Sequence, residues 1–369
     1  MQTRAAVFRG VGTPLAIETI SLDAPQPTEL LVRIAAVGLC RTDLHVMRGE
    51  RRVAMQPMVL GHEAAGVVEA AGSAVKGIAV GDHVVLTFIP GCGRCRWCQQ
   101  GLHHLCAEGP RITQGPQLDG TFRRHDRDGK DVGAFCMIGG FAERTVVDQA
   151  SVLVIGKDIP LDLASLVACG VPAGVGAARN RAKVKAGDSV LVVGVGGDGM
   201  NVVQGARLCG ATTIIAADIV PAKLDWAKQF GATHGVNATG EELTKQVLAL
   251  TGGVGVQHAF VCIDPPSTLL PAFRATAKAG NVVVTALTPD TVSEIKIPPL
   301  ELFVTQKAIM GAVYGFASPR LQIPELLALY RRGELRLKEL ITRTYSLDEV
   351  NRGYADLEAG LNLRGVIVF

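Results

Sequence analysis

The chain has 369 residues, 48% hydrophobic and 19% charged, which allows a sizeable buried core and argues against global disorder. At about 100–200 residues per domain this length fits two domains, or three. Lys plus Arg number 37 against 34 for Asp plus Glu, a net charge of +3, too near balance for a surface built for nucleic acid or anionic membrane.

The first residues, Met1 to Arg9, are interrupted by charge and make no signal peptide. The longest apolar stretch, Leu163 to Ala178, is rich in Gly and Ala and contains Pro172. It falls short of the roughly 20 residues a membrane-spanning helix needs. The expectation is a soluble, cytoplasmic protein with neither nucleic acid nor membrane as partner. Nine cysteines are present, and Cys92, Cys95, Cys98 and Cys106 crowd into a short segment. Without a signal peptide, such crowding argues for metal rather than disulfides.

In chain order, Leu30–Val37 and Ala64–Ala70 have the apolar, β-branched character of strands, and Gly81–Asp82–His83 makes a turn feeding a strand at Val84–Leu86. Residues 107–140, rich in Gly, Asp and Arg, lack periodicity and are expected to be loop. From about residue 171 the texture changes. Ser189–Val193, Thr213–Ala217, Ala259–Ile263 and Asn281–Val284 are short apolar runs, as expected of buried parallel strands. Helices are expected over Met200–Leu208, Pro221–Phe230 and Ile323–Arg331, with a last strand at Gly365–Phe369. Alternating strands and helices predict an α/β fold with a parallel sheet following a β-rich first part.

Three constellations carry chemistry. The first is Gly194-Val195-Gly196-Gly197-Asp198-Gly199, which lies between a strand and a helix and is followed by Asp218 at the end of the next strand. In that context the glycines permit a tight turn against a dinucleotide pyrophosphate, and the helix N-terminus offers it amides. Asp218 suits ribose hydroxyls and would repel a 2′-phosphate. No Arg follows at Ile219 or Val220, so NAD is favoured over NADP. The second is Cys92-x2-Cys95-x2-Cys98-x7-Cys106, four thiolates able to close a tetrahedron around a structural zinc. An iron–sulfur cluster is a rival, although the last gap and Ala107 depart from the ferredoxin spacing. A zinc-ribbon nucleic-acid module, with Arg94 and Arg96 nearby, is another, opposed by the charge balance. The third is scattered: Cys40, His62-Glu63 and Cys169. Two thiolates and an imidazole match a Cys2His catalytic zinc set with a fourth position open, but the spacing alone does not establish it.

Taken together, Cys40-Arg41-Thr42-Asp43-x-His45, Gly61-His62-Glu63, the four-cysteine segment, Cys169-Gly170-Val171, the glycine loop with Asp218 and the terminal Asn362–Phe369 make the chain resemble the zinc-dependent medium-chain alcohol dehydrogenases over essentially its whole length. The loop after Cys106 and Gly311–Phe316 are most similar to the branch holding the animal and glutathione-dependent enzymes, and the fit is also close to bacterial relatives that keep their nicotinamide bound. The resemblance implies a GroES-like catalytic domain, residues 1–170 and 314–369, with a structural zinc lobe at about 90–110. Residues 171–313 would form a Rossmann domain. It implies two zinc ions per chain, one on Cys40, His62 and Cys169 with Glu63 as an exchangeable ligand, the other on the four lobe cysteines. It implies reversible hydride transfer between an alcohol and NAD, the catalytic zinc polarising the substrate oxygen.

In the same resemblance Asp43 orients His62, Thr42 takes the alcohol proton and His45 passes it to solvent. Arg41 and Arg364 match pyrophosphate positions, Lys223 matches a ribose contact, and Phe88, Phe135, Cys136, Leu287 and Val313 match substrate-pocket positions. The family is oligomeric, which predicts a homodimer or homotetramer. Three departures stand out: Arg51 and Arg52 replace an acid of the glutathione-dependent branch, Glu108-Gly109-Pro110 displace Arg111, and Asp198 replaces an apolar residue. The alternatives are a thiol-dependent formaldehyde dehydrogenase, a nicotinoprotein with tightly bound NAD, and a non-catalytic binding protein on the same fold.

Overall fold

The β-branched run Glu29–Gly38 is the hub of the first of two units. A computed structural model describes residues 1–263 and 265–369. In it this strand pairs antiparallel with Glu63–Ala71, with Arg144–Asp148 and, at its end, with the C-terminal strand Arg364–Val368. The strands Val152–Ile155, His83–Leu86 and Ile341–Tyr345 complete this seven-stranded sheet. A smaller five-stranded sheet is built around Gln2–Phe8 and Ala16–Leu22. A continuous core including Phe8, Val32, Ile34, Leu39, Leu86, Phe135, Phe141 and Tyr354 holds the unit together, each such side chain contributing about 1.5–3 kcal/mol by burial. The pairing has a consequence for chemistry. Gly38 lies opposite both Glu63 and Val366, so the residues flanking Cys40, His62 and Arg364 arrive at one place from three distant stretches of chain.

The second unit is a six-stranded sheet whose pairings are all parallel. Its order is His234–Val236, Thr213–Ala217, Ser189–Val193, Val256–Val261, Thr276–Val284, Ala308–Gly311. Numbered within the unit this is 3-2-1-4-5-6, the doubly wound order with a reversal between Ser189–Val193 and Val256–Val261. Strand residues Val190–Val193 are buried, as expected where helices cover both faces. The connecting helices include Gly197–Leu208, Pro221–Phe230 and Gly240–Leu250.

Several expectations shift. The helix expected from Met200 begins at Gly197, because glycines in a first turn carry no apolar periodicity. Gly170–Gly176 is helical and runs into a π-helical turn at Ala177–Ala182, which a Gly- and Pro-containing stretch does not announce. Residues 107–140 are mostly loop, but they contain 3-10 turns at Gly109–Thr113 and Phe135–Met137. They also contain two-residue strands at Arg124–His125 and Gly133–Ala134, too short to show a period. By its own contacts the chain divides into a first unit of residues 1–169, 318–328 and 337–369 and a second of residues 170–317 and 329–336. Among the described residues no helix is long and apolar enough to cross a membrane.

Candidate active site and metal centres

Cys40 caps the N-terminus of helix Arg41–Met47 with extended backbone, just past the end of the hub strand. The first turn of that helix carries Asp43, which is buried and bridges two groups: Oδ1 accepts from the Gly61 amide at 2.9 Å, and Oδ2 lies 2.9 Å from His62 Nδ1. Gly61 is required there. Its φ is +86°, and a Cβ would stand 2.7 Å from the Phe141 amide nitrogen. Glu63 therefore opens the next strand with His62 just before it, and the Phe88 and Phe135 rings stand T-shaped to the His62 ring at centroid distances of 5.8 and 5.9 Å. Cys169 follows helix Leu161–Leu166. One donor atom from each of Cys40, His62, Glu63 and Cys169 lies within 4.8 Å of all the others.

The donor chemistry fits a zinc ion. His62 Nε2 and Glu63 Oε1 are buried without hydrogen-bond partners, and a buried imidazole turned by a carboxylate at Nδ1 presents its other nitrogen as a ligand. The Cys169 side chain, hydrogen-bonded to Cys40, holds the Cys40 thiol well below its ordinary range, against burial and with help from His62. Burial pushes Glu63 up to about 8, against the pull of Arg364, whose guanidinium donates to Glu63 Oε2. Burial opposes charge on His62, yet Asp43 and Cys40 raise it well above its usual value.

Around this cluster, Thr42 Oγ1 lies 3.6 Å from Cys40 Sγ. His45 Nδ1 lies 2.5 Å from Glu50 Oε2, a partner the sequence did not point to. Arg41 is exposed at the helix start, whereas Arg364 is buried on Glu63. Phe135 and Cys136 are buried in a turn where Cys136 has a positive φ, and burial pushes its thiol up to about 12. Tyr354, buried near Asp43, is a further residue that sequence reasoning missed. Only contact across the fold reveals it, since it lies on the distant helix Val350–Glu358.

The lobe is a separate construction. Cys92, Cys95, Cys98 and Cys106 also place their sulfurs within 4.8 Å of one another. Cys95 caps the short helix Arg96–Gln99, and its sulfur accepts from the amides of Cys98 and Ala107, each at 3.5 Å. Those two amides hold the Cys95 thiol down at about 6, while burial raises Cys98 to about 12. Arg96 stacks on Trp97 at 4.8 Å and Arg94 lies 3.8 Å from Glu108, so both cations are engaged within the lobe.

In the second unit the glycine loop turns as its composition requires. Gly194 has φ +86°, a Cβ on Gly199 would lie 2.0 Å from Gly194 O, and a Cβ on Gly196 would meet nothing within 4 Å. The last leaves room for a ligand to approach the backbone, which suits a dinucleotide pyrophosphate. Asp218 accepts from the Val195 amide at 3.1 Å and the Val220 amide at 3.0 Å, with Lys223 Nζ 3.9 Å away. Asp198 Oδ2 accepts from Thr285 Oγ1, another partner absent from the motif. Leu287 and Val313 belong to this unit and are exposed, so the five expected pocket residues are divided between the units.

Residues 26–157 match the family model of the alcohol dehydrogenase GroES-like domain, and residues 197–332 that of the zinc-binding dehydrogenases. The chain is 42% identical to an NDMA-dependent alcohol dehydrogenase of Amycolatopsis methanolica, over 100% of this chain and 99% of that one. Among solved structures it is similar to an alcohol dehydrogenase zinc-binding domain protein from Burkholderia ambifaria, with TM-score 0.94, 34% identity and 100% and 99% of the two chains covered. It is also similar to benzyl alcohol dehydrogenase from Acinetobacter calcoaceticus, with TM-score 0.93, 31% identity and the same coverage. The relative and the two solved structures match the whole length of the chain, and the chain therefore belongs to the zinc-dependent alcohol dehydrogenase family, as an oxidoreductase.

Proposed function

We propose that the chain interconverts hydrophobic primary or secondary alcohols with their aldehydes or ketones, passing hydride to and from NAD. The observation that carries this is the meeting of Cys40 and Cys169 with the buried His62 and Glu63, His62 Nε2 standing unpartnered among them. Zinc held by Cys40, His62 and Cys169 supplies a Lewis acid for the substrate oxygen. Asp43 accepts from His62 Nδ1 and so keeps the ring in the tautomer whose Nε2 lone pair is free to bind metal. Glu63, tethered by Arg364, is placed to exchange as a ligand. Thr42 takes the alcohol proton, and His45, whose Nδ1 is held by Glu50, passes it outward. The Phe88 and Phe135 rings beside His62 favour an apolar or benzylic substituent, in keeping with the benzyl alcohol dehydrogenase neighbour. Arg51 and Arg52, where the glutathione-dependent branch has an acid, speak against a glutathione adduct as substrate.

In this reading residues 171–313 are the Rossmann domain, and residues 1–170 and 314–369 the GroES-like catalytic domain. Gly194, Gly196, Gly197 and Gly199 cradle the pyrophosphate, while Asp218 and Lys223 bind the ribose; Arg41 and Arg364 match pyrophosphate positions by the family resemblance. Four thiolates of the lobe hold a second, structural zinc. Leu287 and Val313 match substrate-pocket positions by the family resemblance alone. The exposed Leu300, Phe303 and Val304 on helix Pro299–Thr305, beside the open sheet edge Ala308–Gly311, support a homodimer or homotetramer. All nine cysteines are free, and thiolate ligands need a reducing compartment, which supports the cytoplasm.

The test is zinc analysis of purified protein together with turnover of an aliphatic and benzylic alcohol panel. Expected are about two zinc ions per chain and a preference for NAD over NADP of about tenfold or more in kcat/KM, narrowed in Asp218→Ser. One zinc per chain, an iron–sulfur absorption band, or equal use of NADP would overturn the assignment. The NDMA dependence named for the Amycolatopsis relative favours a second reading, a retained nicotinamide reoxidised by a second substrate. Mass spectrometry of denatured protein would reveal the retained cofactor.

A further inference from the structure

In an open doubly wound sheet a dinucleotide lies across the carboxyl ends of the strands where their order reverses, here between Ser189–Val193 and Val256–Val261. Asp218, at the end of Thr213–Ala217, sets the adenosine half on one side of that point. The nicotinamide half then falls on the other, toward the ends of Val256–Val261 and Thr276–Val284.

Asp198 is directed to that side. It stands in the first turn of helix Gly197–Leu208, where an acid would ordinarily serve only to complement the helix dipole. Its Oδ2 instead accepts from Thr285 Oγ1, just beyond strand Thr276–Val284. Thr285 is itself fixed, its amide donating to Val261 O at 3.0 Å. Through Thr285 the carboxylate is thereby tied to the end of Val256–Val261, and the Cys262 thiol that follows that strand is pushed well up, by burial first and then by the Asp198 charge.

We infer that Asp198, positioned by Thr285, poises the bound nicotinamide toward its oxidised form. This rests on the NAD reading above. In alcohol oxidation the carbinol carbon gives a hydride, with its electron pair, to the ring, and the hydroxyl gives up a proton. The ring thereby passes from cationic to neutral. A fixed carboxylate beside it favours the cation and is indifferent to the neutral ring. Its repulsion of the pyrophosphate is the same in both redox forms and cancels in their ratio.

The test titrates the zinc-loaded protein, first stripped of any retained nucleotide, with NADH by fluorescence and with NAD⁺ by competition. The wild type is compared with Asp198→Asn, Thr285→Val and Thr285→Ser. Loss of the charge should raise Kd(NAD⁺)/Kd(NADH) about tenfold, equal to about 30 mV in the potential of a bound two-electron couple. Thr285→Val should give part of that change, and Thr285→Ser, which keeps the hydroxyl, should stay near wild type. A purely structural role for Thr285 would weaken both ligands alike and leave the ratio unmoved. If both nucleotides bind and the ratio stays within twofold in Asp198→Asn and Thr285→Val, the inference fails and the NAD reading stands. If the wild type binds neither nucleotide, the NAD reading fails first and takes the inference with it. Should Asp198→Asn not fold, the two Thr285 variants decide the question.

Discussion

The molecule gathers two sets of metal-type donors, and it does so in opposite ways. The lobe takes its four cysteines from one loop, residues 92–106, with a four-residue helix and backbone amides donating to sulfur. Closing so short a loop costs little chain entropy, and the bound metal contributes the missing stability. The other set spans residues 40 to 169 and is assembled only by the pairing of Glu29–Gly38 with Glu63–Ala71 and the packing of helix Leu161–Leu166. Here the fold comes first and the donors are held by it, through Asp43, Arg364 and the rings of Phe88 and Phe135. One set should therefore serve stability and the other chemistry.

Substitutions can break or sharpen that contrast. The largest effect should follow Cys40→Ser. With a Lewis acid contributing several kcal/mol and each tenfold worth about 1.4 kcal/mol, kcat/KM should fall about a thousandfold or more. Circular dichroism and the melting temperature should stay close to wild type, since hub strand and core remain. A parallel collapse of the fold would abolish the distinction between the two sets. Asp43→Asn comes next. It leaves the shape but removes the charge that orients His62, and should cost about 10–100-fold in activity or in zinc affinity at that site. The lobe zinc should be untouched; zinc stoichiometry measured along a chelator titration would show loss of one ion well before the other. An unchanged chelator profile would mean that Asp43 acts on Gly61 alone. The smallest effect on turnover should come from Cys98→Ser. It should cost about one zinc per chain and lower the melting temperature by several degrees, at about 2–4 °C per kcal/mol for a unit of this size. Activity per folded molecule should stay within about threefold. A loss as large as that of Cys40→Ser would show the lobe to be part of the catalytic apparatus.

The same contrast explains what was legible in advance. Parallel strands such as Ser189–Val193 and Thr213–Ala217 are buried on both faces, so they read as plain apolar runs, and both are found at their expected bounds. The glycine loop was readable because steric demands act within it: Gly199 faces Gly194 O across a gap no side chain could enter. The short elements in 107–140 were not readable, because two-residue strands carry no period and are held by pairing with remote partners, Arg124 with Leu22 and Gly133 with Met58.

Sequence by itself determined the lobe, the dinucleotide loop with Asp218, and the alternation that makes the second unit a parallel sheet. Each depends on interactions between residues close in the chain, so spacing is a faithful record of geometry. Through resemblance it also pointed to Cys40, His62 and Cys169. Only the tertiary structure decided that their donor atoms meet, that His62 turns Nε2 inward under Asp43, that Arg364 reaches Glu63, and that Thr285 receives Asp198. Those contacts join residues from 19 to 301 positions apart, as from Asp43 to His62 and from Glu63 to Arg364. Their geometry is fixed by strand register and core packing, which no local pattern of residues encodes.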